Sequence, residues 1–269
     1  MFKLDAYQLK WIAIIGMFLS HVVAAWWPIL PEFLRIPFWM TGGFTFPIMA
    51  YFVVEGYRHT SNLKKYLGRL LLMGLMALPF HIMSLTFPLG GGIWPVGYPY
   101  LNIMFSICVS LLVLVMYDRL SSRFLFWVIF LLGIVPFSFL FLEWYFIGIT
   151  MVLLHHIIKN ETARRIIPSL FAAGSYLLIG LYLNVMASQI QGALDAGYDW
   201  SYFTGWFPEG AILGKPEFAP VMLSFPLGIL AAGFLLKNFN GERGKNSKWL
   251  FYIFYPAHFV LLAAGIWFI

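Results

Sequence analysis

Nine apolar stretches, each close to the length that crosses a hydrocarbon layer, follow one another along this 269-residue chain, near residues 9–30, 37–57, 66–86, 100–117, 122–141, 143–158, 167–188, 218–236 and 249–268. A helix needs about 20 consecutive apolar residues to span a bilayer. Inside lipid every backbone donor and acceptor must be satisfied within the protein, which leaves helices or closed barrels as spanning structures. Stretches this long and this uniformly apolar read as helices. Composition agrees, since 61% of residues are apolar and 10% charged, whereas soluble domains carry about 25% charged residues. The expected fold is all-α, a polytopic transmembrane helix bundle of about nine helices (eight to ten), forming a single integral-membrane domain over residues 1–269. The turn around residues 136–143 separates the fifth span from the sixth. The uncharged stretch 85–100 is long enough to dip back into the membrane.

Charge placement sets the expected orientation. With the N-terminus cytoplasmic, Lys3, Lys10, Arg58, Lys64, Lys65, Arg69, Arg119, Arg123, Lys159, Arg164, Arg165, Lys237, Arg243, Lys245 and Lys248 fall on the inner side, which is 15 of the 17 basic residues, leaving Arg35 and Lys215 outside. Such a bias is the positive-inside pattern, and it puts the C-terminus outside. The same rim accounts for the net charge of +6, so no nucleic-acid partner is expected. The first span is too long for a signal-peptide core and no small-residue cleavage site follows it, so it reads as a retained helix. Cys108 is the only cysteine, which excludes a disulfide framework and a cysteine-ligated metal. No metal is expected. No internal repeat or second domain is apparent.

Within the first span, His21 follows Lys10 by eleven positions. That is three helical turns plus about 20° and a rise of roughly 16 Å, so the two side chains share a face, one at the membrane edge and one near the midplane. An ionisable group at that depth is a functional candidate by default; the competing explanation is a hydrogen bond to a neighbouring helix. His258 lies ten residues after Lys248 and should reach a similar depth, with Pro256 marking a kink where a cavity can open. His81 closes the third span on the outer side. His155 and His156 end the sixth span beside Lys159, where headgroups accommodate them. Glu55 ends the second span and needs a partner such as Arg58 or a catalytic reason to be there. Beyond it, Arg58, Lys64, Lys65 and Arg69 form a basic cluster. That cluster reads either as topology or as a clamp on an anionic nucleotide through charge-assisted hydrogen bonds.

The segments LKWIAIIGMFLSHVV (9–23), FPIMAYFVVEGYRHTSNLKKYLGRLL (46–71), NIMFSI (102–107) and FYIFYPAHFVLL (251–262) resemble, in order and over nearly the whole chain, the TraX family of integral-membrane acyltransferases. The basic residue, ten-residue gap and histidine also resemble membrane acyltransferase family 3. The resemblance implies a cytoplasmic acyl-CoA donor, with acetyl-CoA foremost. It also implies transfer to an amine or hydroxyl acceptor at the outer face, such as a pilin N-terminus or an envelope glycan, in a bacterial inner (cytoplasmic) membrane. It places the family's histidine on His21, its basic partner on Lys10, the basic cluster on Lys64, Lys65 and Arg69, the helix-four asparagine on Asn102 and an acidic residue on Glu143. One position departs from the pattern: Ser20 stands where TraX-like sequences usually carry Asp.

The residues suit that chemistry. Acyl transfer from a thioester requires a base to take the acceptor proton, a role in which a positioned histidine contributes about 10²–10⁴-fold. The developing oxyanion requires a donor, for which Asn102, Ser106 and Tyr255 are candidates. The candidate set is therefore His21, His258, Glu55 and Asn102 for catalysis, Lys10, Arg58, Lys64, Lys65 and Arg69 for the donor, and Glu143 and His81 on the acceptor side. The glycines of 90–99 are not followed by the Lys-Ser/Thr of a phosphate loop and read as a flexible outer loop. The aromatic-rich loop 188–217 reads as an interfacial belt or an acceptor platform. The alternative function is a secondary transporter whose intramembrane histidines relay protons. Such proteins often carry paired repeats, which this chain lacks. A purely structural membrane subunit would give no reason for His21, His258 and Glu55.

Overall fold

The computed structural model describes residues 3–27, 29–86, 101–197, 219–246 and 248–266. Among them run nine helices: α1 (Ala6–Trp26), α2 (Glu32–His59), α3 (Leu63–Thr86), α4 (Ile103–Arg119), α5 (Arg123–Phe141), α6 (Tyr145–Ile157), α7 (Glu161–Asp195), α8 (Ala219–Lys237) and α9 (Lys248–Ile266). The number matches the sequence expectation. α1, α2, α5, α7 and residues Leu63–Ser84 of α3 are long and apolar enough to cross a membrane; α6 and parts of α8 and α9 are shorter apolar helices. Leu72, Leu75, Leu132, Leu178, Phe234 and Leu261 point outward and are more than half exposed. An apolar outer surface of this extent suits lipid and not water.

Local chemistry sets the helix starts. Asp5 and Gln8 form a reciprocal capping box on α1, and the side chains of Asn62, Asn102, Ser122 and Asn160 accept from the first-turn amides of α3, α4, α5 and α7. The turn between α5 and α6 lies at residues 142–144, later than the sequence suggested. Pro136 sits inside α5, just after a single π-turn at Phe130–Ile134. Proline removes an amide and crowds the carbonyl of the preceding turn, and the wider π-turn lets the helix continue without breaking. α7 runs on to Asp195, so the start of the expected 188–217 loop is helical; its stretch 198–217, the 90–99 loop, most of 85–100 and Lys215 lie outside the described residues.

Because the helices alternate in direction, one end of the bundle collects the start of α1, α3, α5, α7 and α9 and the close of α2, α4, α6 and α8. Backbone bonds from Leu4 to Asn238 and from Ala6 to Glu242 tie the N-terminus to the α8–α9 connection there. All fifteen basic residues that the sequence assigned to one side belong to segments that meet at or run from this basic end, while Arg35 sits at the opposite end over the Trp27 ring.

The bundle interior depends on small residues. A Cβ on Gly228 would lie 2.0 Å from the Met40 carbonyl oxygen, and one on Gly43 would lie 2.4 Å from that of Phe225. α2 and α8 therefore pack backbone against backbone, as small residues permit in membrane bundles. α1 and α2 are joined by Thr41 and Thr45, whose hydroxyls donate to the carbonyls of Gly16 and Ala13 at 3.1 and 3.0 Å.

Candidate active site

α1 and α9 bring His21 and His258, 237 positions apart, into direct contact: Nδ1 of His21 and Nε2 of His258 are 2.9 Å apart. The rings are within 5° of parallel with centroids 5.1 Å apart. A nitrogen–nitrogen gap so much shorter than the centroid separation places the shared hydrogen close to the plane of both rings, so the pair is hydrogen-bonded edge to edge and not stacked face to face. His258 is fully buried, its Nδ1 lying 3.1 Å from the Phe254 carbonyl oxygen one turn back. His21 is partly accessible.

His81 completes the cluster from α3. Phe259 lies among the three imidazoles, with ring centroids 4.9 Å from His21, 4.0 Å from His258 and 5.1 Å from His81. His81 is 5% exposed, and neither of its ring nitrogens has a hydrogen-bond partner among the described residues. Its Nε2 is 4.0 Å from the Glu143 carboxylate, a carboxylate at the opposite end of the bundle from the basic rim. Glu143 is held by the fold around it. Its amide donates to the Leu101 carbonyl, the Leu101 amide donates to Phe141, and Ser106 Oγ donates to the Glu143 carbonyl at 2.6 Å. The next two residues, Trp144 and Tyr145, have φ of 63° and 45°, uncommon for residues of this size. The Trp144 ring is packed on Phe46, Tyr176 and Phe225, which keeps the turn in place. Among the described residues no three His, Cys, Asp or Glu side chains converge closely enough to hold a metal ion.

Four of the candidate residues thus converge: His21, His258, His81 and Glu143. The others lie elsewhere. Asn102 is fully buried, but its amide donates to the Gly74 carbonyl at 2.8 Å while its oxygen caps α4. Ser106 is spent on Glu143. Of the three oxyanion candidates, only Tyr255 has a buried hydroxyl with no hydrogen-bond partner among the described residues.

Glu55 belongs to the basic end. Ser20, beside His21, touches α2 at Gly42, and Glu55 is 13 positions further along α2, about 20 Å by helical rise. It has the partner the sequence called for, Arg58 at 3.7 Å, and a closer one in Arg164 at 2.8 Å. Arg164 is the residue that sequence reasoning missed. Read there as rim charge, it is 3% exposed and its guanidinium bridges Glu55, Glu161 and the Tyr51 hydroxyl. The available signal was the Glu161–Arg164 spacing of three, which puts opposite charges on one helix face. His155 also differs from expectation, being fully buried edge-on to Tyr51, whereas His156 stays at the rim on Asp118 at 2.8 Å.

Of the donor-side candidates, Lys64, Lys65 and Arg69 are exposed and make no ion pair among the described residues. Arg58 is exposed and donates to the His156 carbonyl. Lys10 lies over the rings of Phe52 and Phe251, at 4.9 and 5.9 Å, so α1, α2 and α9 meet below the histidine pair. Further aromatic contacts, Trp11 with Phe251 and Phe18 with Phe254, line the α1–α9 seam between Lys10 and His21.

No solved structure matches this chain. It is similar to a protein of Dichelobacter nodosus described as "Probable fimbrial assembly protein FimC, serogroup H1", at 29% identity over 278 residues, covering 97% of this chain and 95% of the relative. The family model described as "TraX protein" matches residues 5–264, an interval that holds His21, His81, Glu143 and His258, and the chain belongs to the TraX family.

Proposed function

We propose that the protein is a membrane-embedded acyltransferase that moves an acetyl or short acyl group from cytoplasmic acyl-CoA to an amine or hydroxyl acceptor at the outer face. The observation that carries the reading is the edge-to-edge His21–His258 pair inside a helical bundle, with His21 partly accessible and His258 enclosed. In this reading the basic end faces the cytoplasm of a bacterial inner membrane, the C-terminus faces out, and Lys64, Lys65 and Arg69 meet the phosphates of CoA. The pantetheine arm follows the α1–α9 seam past Lys10, about 16 Å to His21.

The acceptor enters from the side of His81 and Glu143. His21 takes its proton, the acceptor nitrogen or oxygen bonds to the thioester carbon, and the C–S bond breaks. The departing CoA thiolate then takes up the proton. The similarity to a fimbrial assembly protein favours a pilin N-terminus as acceptor, with an envelope glycan hydroxyl as the other class.

The test is release of free CoA from acetyl-CoA by purified protein, against a panel of peptide amines and sugars. His21→Ala should insert normally and lose at least 90% of turnover, given the usual size of a base contribution. Acceptor-independent silence of the wild-type protein, or turnover that survives in His21→Ala, would sink the acyltransfer reading and favour a proton-relaying transporter.

A further inference from the structure

We propose that His258 is a positioning residue that fixes the tautomer of His21, so that His21 works through Nε2. The chemistry rests on the acyl-transfer reading above, but the proton inventory rests on geometry. A neutral imidazole has one N–H and one lone pair, so the partner of one nitrogen dictates the role of the other. His258 Nδ1 lies 3.1 Å from the Phe254 carbonyl oxygen. A carbonyl oxygen only accepts, so Nδ1 carries the hydrogen and Nε2 of neutral His258 is a lone pair. That lone pair is 2.9 Å from His21 Nδ1. Two lone pairs at this separation would repel, so His21 Nδ1 carries a hydrogen and donates it. The remaining lone pair of His21 is on Nε2, on the partly accessible member of the pair.

The arrangement does the work that a carboxylate does behind a catalytic histidine, holding one tautomer and one ring orientation. The residue next to His21 does not do this work. Ser20 turns its hydroxyl to the Met17 carbonyl at 2.9 Å, and the imidazole is held by His258 instead. When Nε2 of His21 takes the acceptor proton, the Nδ1–H bond to His258 Nε2 spreads the resulting charge over two rings, the second anchored on the Phe254 carbonyl. The titratable groups facing the pair from other elements are His81 on α3 and, beyond it, Glu143 in the α5–α6 turn.

The test uses full-length protein labelled with ring-15N histidine in lipid nanodiscs, where nitrogen shifts separate protonated from bare ring nitrogens. At neutral pH, His21 and His258 should both show protonated Nδ1 and bare Nε2. His258→Gln, whose side-chain oxygen can accept from His21 Nδ1, should keep the wild-type signature at His21 and retain turnover within about tenfold of wild type, whereas His258→Leu should release His21 to exchange between tautomers and lose at least a hundredfold, within the range for a general base. A bare Nδ1 at His21 in the wild-type protein, or equal loss of turnover in the Gln and Leu variants, overturns the positioning role. If His258→Leu does not insert, the wild-type and Gln spectra decide. The expected tautomers in a protein that releases no CoA would uphold the pair and refute the acyl-transfer reading instead.

Discussion

Replacing Arg164 with Met should expose what holds the basic end of the bundle together. The guanidinium donates to Glu55 at 2.8 Å, to Glu161 at 2.7 Å and to the Tyr51 hydroxyl at 3.0 Å, and its side chain is 4% exposed. A hydrogen bond to a charged group contributes about 1.5–3 kcal/mol, and breaking a fully buried ion pair costs about 3–5 kcal/mol. The carboxylates here are less enclosed. Glu161 is 52% exposed and keeps Arg165 at 3.2 Å, so water and that arginine absorb most of its loss; Glu55 is 28% exposed and keeps Arg58 at 3.7 Å. The expected cost of Arg164→Met is therefore about 2–4 kcal/mol, below the fully buried case. Arg164→Lys should cost about half as much, because an ammonium cannot fork between two carboxylates. Reversible SDS or thermal unfolding in detergent, followed by tryptophan fluorescence, measures both. A cycle with Glu55→Gln should give a coupling of about 1–2 kcal/mol. Stability of Arg164→Met within about 0.5 kcal/mol of wild type, the usual range for a surface change, would refute the pinning role. The same series separates a pin from a catalyst at Glu55. As a pin, Glu55→Gln loses stability and keeps turnover; normal stability with turnover down a hundredfold would restore Glu55 to the catalytic set.

Gly228→Ala should destabilise by about 1–3 kcal/mol or more through forced separation of α2 and α8, while Gly174→Ala, where a Cβ would meet nothing within 4 Å, should be neutral or stabilising by up to about 1 kcal/mol; the same unfolding assay compares them, and equal midpoints would refute the close approach. Lys65→Ala and Arg69→Ala should weaken acetyl-CoA binding more than dephospho-CoA binding at whichever residue meets the ribose phosphate, read by calorimetry; unchanged affinity for both ligands across the cluster, Lys64→Ala included, would assign these charges to topology alone. Asn102→Ala should cost about 1–2 kcal/mol from the lost α4 cap and the unpaired Gly74 carbonyl, whereas Asn102→Ser, whose hydroxyl can keep the cap without burying a charge, should recover part of it; a loss of turnover with normal stability would instead mark Asn102 as an oxyanion donor.

The helices, their alternation and the gathering of charge at one end were legible along the chain, because apolar length and the placement of Lys and Arg are local properties of each segment. So was the axial relation of Lys10 to His21, since helical rise is fixed by the backbone. Which faces meet is a matter of packing between distant segments. The His21–His258 bond joins residues 237 positions apart, and no local period records that α1 and α9 turn those faces together. Glu143 reached His81 because Leu101 and Ser106 clasp the α5–α6 turn, and Pro136 stayed inside its helix because a π-turn widened ahead of it. Arg164 reads along the chain as one more rim cation. It became an interior residue because two carboxylates and a tyrosine from α2 and α7 arrived around it, and burial of a charge is decided by the partners that assemble there.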